Sequence, residues 1–364
     1  MLIRHQKFLL LCIGGLILLI CGLTIMNVYW ATDVHLIRTS SIPNRITSIA
    51  VTSDGHIVVV SGQDDGLVRF VRLDDGQIIN TLPASQLAVW KIALSPDNQI
   101  IASAASEGVV QLWSTTTSER LHILAPPYKG GGQVEDLEHP GINLAHTIEA
   151  VTFSPDGTLV AAGGANGEVW IWRVADRRLL YTFYGHIGLG GYDNPITNVS
   201  FSPDGQIIAS AGLDDTVYIW SLKEGHMLHR LGNPSDLNER RAIAFSPNGQ
   251  LLATGGDTEN VEVWSVPQGQ LVATLSDKQS GAFSLAWSHD GRLLAAGGGI
   301  RLDDGVATRP YDMDIRIWDI QTQQVKLRLH GHTGNVTGIF FMPDGRTLVS
   351  GSEDKSIRIW NVKF

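Results

Sequence analysis

The chain has 364 residues, of which 43% are hydrophobic and 17% are charged, and its formal net charge is −9. This composition is typical of an ordered globular protein, and the length predicts either two domains or one large repetitive fold. An acidic chain repels phosphate backbones, so the charge argues against a general nucleic-acid-binding protein. Both cysteines, Cys12 and Cys21, lie near the N-terminus, which excludes a disulfide, a cysteine-ligated zinc site and a catalytic cysteine from the rest of the chain.

The first predicted element is an apolar segment that follows a short N-terminal flank. Residues 8–30 contain no charged side chain, and as a helix they would extend about 34 Å, enough to cross a bilayer. Arg4 and Lys7 precede this segment, and positive charges flank the cytoplasmic end of membrane helices. The sequence therefore predicts a single-pass membrane protein with a cytoplasmic N-terminus and an extracytoplasmic body. A cleaved signal peptide is the alternative, but a cut after Ala31 would put Tyr29 where a small residue is required.

A turn signal recurs seven times along the rest of the chain. Three copies read Ser-Pro followed by Asp-Gly or Asn-Gly, and the other four are variants of this pattern. The copies begin at Ser53, Ser95, Ser154, Ser202, Ser246, Ser288 and Met342. Proline presets φ for a turn, Asp or Asn bonds the local backbone, and glycine accepts the positive φ that closes a hairpin. Alternating apolar runs flank each turn, such as residues 196–201, so each copy predicts a pair of antiparallel strands.

A tryptophan follows each of these hairpins at the end of a third alternating run, except in the first repeat, where Val71 takes its place. The tryptophans are Trp113, Trp172, Trp220, Trp264, Trp318 and Trp360. Runs such as residues 270–275 provide a fourth strand. Self-similarity at this period predicts a repeat architecture of seven four-stranded modules.

This pattern resembles the WD-repeat family from about Val34 to Phe364. The resemblance implies an all-β fold, a seven-bladed β-propeller of four-stranded antiparallel blades, here preceded by one N-terminal transmembrane helix. It also implies a hydrogen-bonded tetrad of side chains that locks a blade. Two repeats have the full set, His332, Ser350, Asp354 and Trp360 in the last repeat and His186, Ser210, Asp214 and Trp220 in the fourth.

Other repeats depart from the tetrad pattern. The third has Ala162 and Asn166 at the Ser and Asp positions, and the second has Glu107 at the Asp position. These blades are expected to depend more on packing.

The predicted propeller occupies residues 33–364, after a flank of residues 1–7 and the helix 8–30. The blades are expected at about 46–82, 87–124, 148–183, 196–231, 241–275, 282–329 and 336–364. Too few residues follow Trp360 to form an outer strand for the last blade, whereas residues 34–39 read like one. We expect this first strand to complete the last blade and close the ring, which leaves only short edges.

Three insertions interrupt the regular spacing. Residues 125–147 and 185–195 join the outer strand of one blade to the inner strand of the next, and residues 299–314 join the second strand of a blade to the third. All three therefore fall on one face, which we expect to bind other proteins. Tyrosine and arginine dominate binding hot spots, and the candidate partner-binding residues are Tyr128, Lys129, Tyr192, Arg240, Arg241, Arg301, Arg309 and Tyr311.

The sequence has no nucleophile elbow, phosphate-binding loop or zinc-protease motif, so we expect no catalytic residues, no cofactor and no metal site. Two acidic loop clusters follow no established ligand spacing; they are Glu135, Asp136, Glu138, His139 and His146, and Asp303, Asp304, Asp312 and Asp314. The leading prediction is a membrane-anchored protein-interaction scaffold, with other proteins and the membrane as partners and no nucleic acid. The alternatives are a small-molecule or metal site at the channel mouth, in an enzyme or in a sensor that reports ligand capture across the membrane.

Overall fold

The computed structural model describes residues 34–127, 147–186, 194–233, 239–277, 281–299 and 313–363. These ranges form seven four-stranded antiparallel sheets, which are the blades of a seven-bladed β-propeller, as the sequence predicts. No helix within these ranges is long and apolar enough to span a membrane. The predicted transmembrane helix 8–30 and its flank 1–7 lie outside the described residues.

The strands are numbered in chain order, and each blade is given from its innermost to its outermost strand. Blade 1 contains β2 (Ile46–Val51), β3 (Ile57–Gly62), β4 (Leu67–Arg72) and β5 (Ile78–Pro83). Blade 2 contains β6 (Val89–Leu94), β7 (Ile100–Ala105), β8 (Val110–Ser114) and β9 (Arg120–Leu124). Blade 3 contains β10 (Ile148–Phe153), β11 (Leu159–Gly164), β12 (Glu168–Arg173) and β13 (Leu179–Tyr184). Blade 4 contains β14 (Ile196–Phe201), β15 (Ile207–Gly212), β16 (Val217–Ser221) and β17 (His226–Leu231).

The remaining three blades follow the same order. Blade 5 contains β18 (Arg240–Phe245), β19 (Leu251–Gly256), β20 (Asn260–Ser265) and β21 (Gln270–Ser276). Blade 6 contains β22 (Gly281–Trp287), β23 (Leu293–Gly299), β24 (Ile315–Asp319) and β25 (Gln324–Leu329). Blade 7 contains β26 (Val336–Phe341), β27 (Thr347–Ser352), β28 (Ser356–Val362) and, as its outer strand, β1 (Val34–Ser41).

The recurring turns are closed by their own side chains. In blade 3 the hydroxyl of Ser154 donates to the Asp156 carboxylate at 2.6 Å and accepts from the Leu159 amide at 2.9 Å. Gly157 follows at φ +72°, the left-handed region that favours glycine. These local bonds explain why the hairpin between the two inner strands can be predicted from four residues.

The ring is closed by strands from both ends of the described chain. β1 pairs antiparallel with β28, from Val34 opposite Val362 to Ser41 opposite Ser356. The blade 7 to blade 1 junction is also linked directly, since the hydroxyl of Thr337 donates to the Ile46 carbonyl at 3.0 Å. Blade 7 is therefore built from two distant parts of the sequence.

The hydrophobic core lies between the blades and forms seven clusters, one at each interface of neighbouring blades. Between blades 2 and 3, for example, buried Leu112 of β8 belongs to one cluster with Val151 and Phe153 of β10 and Trp172 of β12. Each blade thus buries apolar surface on both of its faces, and the fold needs every neighbour in place.

Strand direction sorts the connections onto two faces. Each inner strand starts at the face where the connection from the preceding blade arrives. The turns between the second and third strands lie at the same face, which we call the insertion face. The Ser-Pro-Asp-Gly turns lie at the opposite face, the turn face. The three insertions connect β9 to β10, β13 to β14, and β23 to β24, so the ends of all three lie at the insertion face.

Candidate functional site

Every inner strand has a β-bulge near its start, at the insertion face. The pairing register between the inner strand and its neighbour shifts by one residue at this point in all seven blades. A bulge re-aims the side chain of the extra residue. The seven bulge residues, which we call the mouth ring, are all half-buried; they are Thr47, Trp90, Glu149, Thr197, Arg241, Phe283 and Thr337.

The threonines of the mouth ring link neighbouring blades. The hydroxyl of Thr47 donates to the Val89 carbonyl at 2.5 Å, and that of Thr197 donates to the Arg240 carbonyl at 2.5 Å. Thr337 makes the equivalent bond at the ring junction. These three side chains have a structural role, whereas Trp90, Glu149, Arg241 and Phe283 give the mouth its chemical character.

Arg241 is held in a fixed orientation by its neighbours. Its Nε donates to the Asp257 carboxylate at 2.6 Å, and a terminal nitrogen pairs with Glu239. Its guanidinium carbon lies 5.0 Å from the centre of the Phe283 ring, within the range of a cation–π interaction. The guanidinium and the phenyl ring thus form one preorganised surface across blades 5 and 6.

The positive charge of Arg241 acts on two half-buried carboxyl groups, those of Glu149 and Glu353. Burial raises the pKa of Glu149, and the charge of Arg241 acts to lower it. Burial likewise raises the pKa of Glu353, against a hydrogen bond from Asn335 and the charges of Arg45 and Arg241. The guanidinium of blade 5 therefore acts on carboxyl groups of blades 3 and 7.

Acidic groups outnumber basic ones among these interacting side chains. The two guanidinium groups of Arg241 and Arg45 share the mouth with four carboxyl groups, those of Glu149, Glu239, Asp257 and Glu353. Trp90 adds an aromatic surface whose Nε1 donates to the Ser106 hydroxyl at 3.2 Å. The arrangement suits a ligand that carries positive charge together with apolar groups.

The two predicted tetrads are hydrogen-bonded within their blades. In blade 7, His332 Nδ1 lies 2.8 Å from the Asp354 carboxylate and its Nε2 lies 2.8 Å from the Ser350 hydroxyl. The indole nitrogen of Trp360 donates to the same hydroxyl at 2.9 Å. A carboxylate only accepts, so Nδ1 carries the proton and donates it to Asp354.

Blade 4 repeats this geometry. His186 lies 2.9 Å from the Asp214 carboxylate and 2.8 Å from the Ser210 hydroxyl, to which Trp220 donates at 3.0 Å. Both networks are buried, so they hold the blades and present no free group to a ligand.

In blade 2, Glu107 occupies the Asp position of the tetrad and makes different hydrogen bonds. The Glu107 carboxylate accepts hydrogen bonds from the Ser85 hydroxyl and the Gln86 amide, both at 2.8 Å. Trp113 still donates to the Ser103 hydroxyl at 3.1 Å. A longer acidic side chain therefore reaches the preceding connection without a histidine.

The eight candidate partner-binding residues lie in different parts of the protein. Arg241 belongs to the mouth ring, but Arg240 is 5% exposed, lies 2.9 Å from the Glu262 carboxylate and donates to the Asp215 carbonyl at 3.3 Å. Arg240 therefore supports the fold. The other six lie outside the described residues: Tyr128, Lys129, Tyr192, Arg301, Arg309 and Tyr311.

The acidic loop clusters also lie outside the described residues, except Asp314, which pairs with His330. Within the part of the chain that the structure describes, no group of three or more His, Cys, Asp or Glu side chains is placed to hold a metal ion.

Trp90, Glu149 and Phe283 are site residues that the sequence does not predict. Their only signal is position, because each is the residue at which the inner strand of its blade is bulged. Bulges cannot be recognised without the pairing register.

Comparison with known proteins gives two family matches. Residues 28–271 match the family described as "Nucleolar protein 10-like, N-terminal domain". Residues 269–319 and 323–361 match "WD domain, G-beta repeat".

Similar proteins include mouse "U3 small nucleolar RNA-interacting protein 2", 32% identical over 30% of this chain and 22% of the relative. "Periodic tryptophan protein 2" of Arabidopsis thaliana is 27% identical over 42% of this chain and 15% of the relative. "WD repeat-containing protein VIP3" of Arabidopsis thaliana is 25% identical over 43% of this chain and 48% of the relative. The matched region spans less than a quarter of the first two relatives.

These comparisons overturn two predictions. The prediction of a membrane partner and no nucleic acid is wrong, because a relative is named for its interaction with an RNA and the family is named for a nucleolar protein. The same findings contradict the predicted localisation as a single-pass membrane protein with a cytoplasmic N-terminus and an extracytoplasmic propeller. Net charge averages over the whole surface, and an uncharged run measures hydrophobicity, so neither identifies a partner or a compartment.

Fold and comparisons agree on the family. The structure contains seven four-stranded blades, two of them with the hydrogen-bonded His, Asp, Ser and Trp set. The nucleolar protein 10-like model covers more than half of the chain, and the WD-repeat model matches the two segments after it. The chain is a WD-repeat β-propeller and belongs to the nucleolar protein 10-like N-terminal domain family.

Proposed function

We propose that this propeller is a non-enzymatic scaffold that holds a basic segment of a partner protein across the mouth ring. The observation that carries the proposal is the set of four non-threonine bulge side chains, Trp90, Glu149, Arg241 and Phe283, presented half-buried at the insertion face. Aromatic and arginine side chains in partly desolvated positions contribute most to protein–protein binding.

Charge supports a basic partner. Among the described side chains that interact at the mouth, four carboxyl groups share the surface with two guanidinium groups, and the whole chain carries a net charge of −9. A lysine or arginine of the partner can pair with Glu149 and stack on Trp90, which combines an ion pair with a cation–π contact. Complementary charge also speeds association.

The names of the relatives suggest the setting. A protein named for its interaction with U3 small nucleolar RNA and a family named for a nucleolar protein support a partner that belongs to an RNA–protein assembly. Proteins of such assemblies carry the basic segments that bind phosphate backbones.

The direct test uses short synthetic peptides and two variants that each remove one negative charge. Glu149→Gln lies in the mouth ring, whereas Glu119→Gln changes an exposed residue at the turn face of blade 2. We expect titration calorimetry to show binding of arginine- and lysine-rich peptides to the wild type and to Glu119→Gln, and about tenfold weaker binding to Glu149→Gln. Equal affinity for all three proteins would refute the proposal.

The pH dependence provides an independent signature. Burial raises the pKa of Glu149, so a cation that pairs with this residue must displace a proton at low pH. Affinity for the basic peptide is expected to rise with pH through the raised pKa of Glu149 in the wild type. In Glu149→Gln this part of the pH dependence should disappear.

Direct contact with RNA is a second candidate, and the name of the mouse relative favours it. Mobility-shift assays with short single-stranded RNA at several salt concentrations would detect it. Such binding requires that the logarithm of the affinity fall linearly with the logarithm of the salt concentration. Absence of a shift at low salt would eliminate this candidate and leave the peptide site untouched.

A further inference from the structure

The central channel contains a cavity of about 490 Å³. The inner strands of all seven blades contribute to its wall. This volume is within the range of sites for small organic ligands, roughly 300 to 1,000 Å³. The cavity lies along the propeller axis and includes Phe283 and Thr337 of the mouth ring.

Lys91 of β6 is the only ionisable side chain among the described residues that line this cavity. The other polar side chains of the wall are neutral, such as Ser48, Thr152, Asn198 and Ser200. Burial lowers the pKa of Lys91, and no charged group among the described residues acts on it. The chain thus places an ammonium group in its channel, and no carboxylate lies among the described residues that line the cavity.

The fold does not require a lysine at this position. Lys91 is the residue directly after the bulge of its inner strand. In the other six blades the same position is occupied by a small or neutral residue, namely Ser48, Ala150, Asn198, Ala242, Ser284 or Gly338. Lys91 is half-buried, and partial desolvation disfavours the charged form of a lysine unless it is paired, so an anion that enters the channel would stabilise the ammonium.

We propose that the channel binds a small organic oxyanion, a phosphate or carboxylate compound, through the ammonium group of Lys91. The ammonium supplies the charge-assisted hydrogen bonds that such groups accept. The amide of Asn198 provides a neutral donor on the same wall, since only one of its two N–H groups donates to the Arg241 carbonyl, at 3.4 Å. Phe340, which is 37% exposed, supplies an apolar surface for the organic part of the ligand.

The test is titration calorimetry of the full chain with three probes: inorganic phosphate, adenosine monophosphate and citrate. Lys91→Met removes the ammonium and keeps the length of the side chain, and Lys91→Arg keeps the positive charge. Lys223→Met removes a charge from an exposed residue in blade 4 outside the cavity and is the matched control. Circular dichroism would show that each variant keeps its β-structure.

We expect at least one probe to bind the wild type and Lys223→Met equally, with at least about tenfold loss of affinity in Lys91→Met. Lys91→Arg should retain most of the affinity. Preference for adenosine monophosphate over citrate would identify a phosphate ligand, and the reverse would identify a carboxylate. Binding of no probe to the wild type, or equal binding to Lys91→Met, would overturn the proposal.

Discussion

The buried tetrads show how single residues stabilise a blade. Ser350 is fully buried, and its hydroxyl is shared between the indole of Trp360 and the imidazole of His332. Burial lowers the pKa of His332, although its bond to Asp354 acts in the opposite direction. The imidazole of His332 is therefore neutral. Its Nδ1 donates a hydrogen bond to the Asp354 carboxylate, and its Nε2 accepts one from the Ser350 hydroxyl.

Replacing this serine should be costly. Ser350→Ala leaves the Trp360 N–H and His332 Nε2 without their partner, and each unsatisfied buried group costs about 1 to 3 kcal/mol. We expect the free energy of unfolding, measured by urea denaturation, to fall by about 2 to 4 kcal/mol. Ser41→Ala, an exposed change in the outer strand of the same blade, should alter it by less than about 0.5 kcal/mol. Equal effects of the two changes would contradict the structural role of the tetrad.

The same network predicts a loss of stability in acid. Burial raises the pKa of Asp354, but hydrogen bonds from His332 and Ser356 outweigh it, so the pKa lies below its usual 3.8. The stabilisation from this carboxylate is therefore complete above pH 3.8 and lost as the pH falls further. The lowered pKa of His332 adds a loss below pH 6.5.

Urea unfolding at several pH values would test this. The difference in unfolding free energy between the wild type and Asp354→Asn should narrow as the pH falls below 3.8. Glu149 and Glu353 have raised pKa values, so what their protonated forms add to the free energy of unfolding is lost as the pH rises. They are present in both proteins and cancel in the difference. A difference that stays constant with pH would contradict the assignment.

At the scale of elements, the first strand completes the last blade of the ring. β1 supplies the outer strand of blade 7 through its pairing with β28. Without it, β28 becomes an exposed edge, and such edges promote association between chains.

Two truncations that differ only by β1 would measure this contribution. The chain without residues 1–33 retains β1, whereas the chain without residues 1–41 lacks it. We expect the shorter chain to unfold at a lower urea concentration and to self-associate in analytical ultracentrifugation. Identical midpoints and a monomeric shorter chain would show that β1 is dispensable.

The elements that could be predicted from the sequence are those with local, repeated signals. The turn at Ser154 closes on its own side chains within six residues, and Trp220 marks a third strand, so seven blades follow from counting. The bulges of Trp90 and Phe283 depend on register with a neighbouring strand. No local pattern reports that register, so Arg241 is the one mouth-ring residue among those predicted from the sequence to bind a partner.

Contacts between blades were also beyond sequence reasoning. In blade 6, buried Arg316 donates to the Asp277 carboxylate at 3.0 Å and to the Gly281 carbonyl at 2.6 Å. This buried ion pair joins β24 to the connection that precedes the blade. Arg240 and Arg241 were both predicted to bind a partner, but Arg240 is buried in blade 5, whereas Arg241 lies at the mouth.

At the scale of the whole molecule, charge is distributed unevenly. The chain has a net charge of −9, yet its channel wall has Lys91 as the only ionisable group among the described residues. The mouth above it is enriched in carboxyl groups. A single net charge does not describe these regions, which explains why it misled the prediction about partners.

The seven-bladed fold and the chemistry of the mouth thus depend on different residues. The repeated turns and interblade clusters build a symmetric disc, while the four non-threonine mouth residues, Trp90, Glu149, Arg241 and Phe283, break the symmetry. Binding specificity on such a scaffold depends on the residues that differ between repeats.

Amide hydrogen exchange of the propeller with and without a bound basic peptide tests the central claim most directly. We predict slower exchange in the segments that contain Trp90, Glu149, Arg241 and Phe283, and unchanged exchange in the Ser-Pro-Asp-Gly turns of the opposite face. Protection confined to the turn face or to the outer strands would contradict the account.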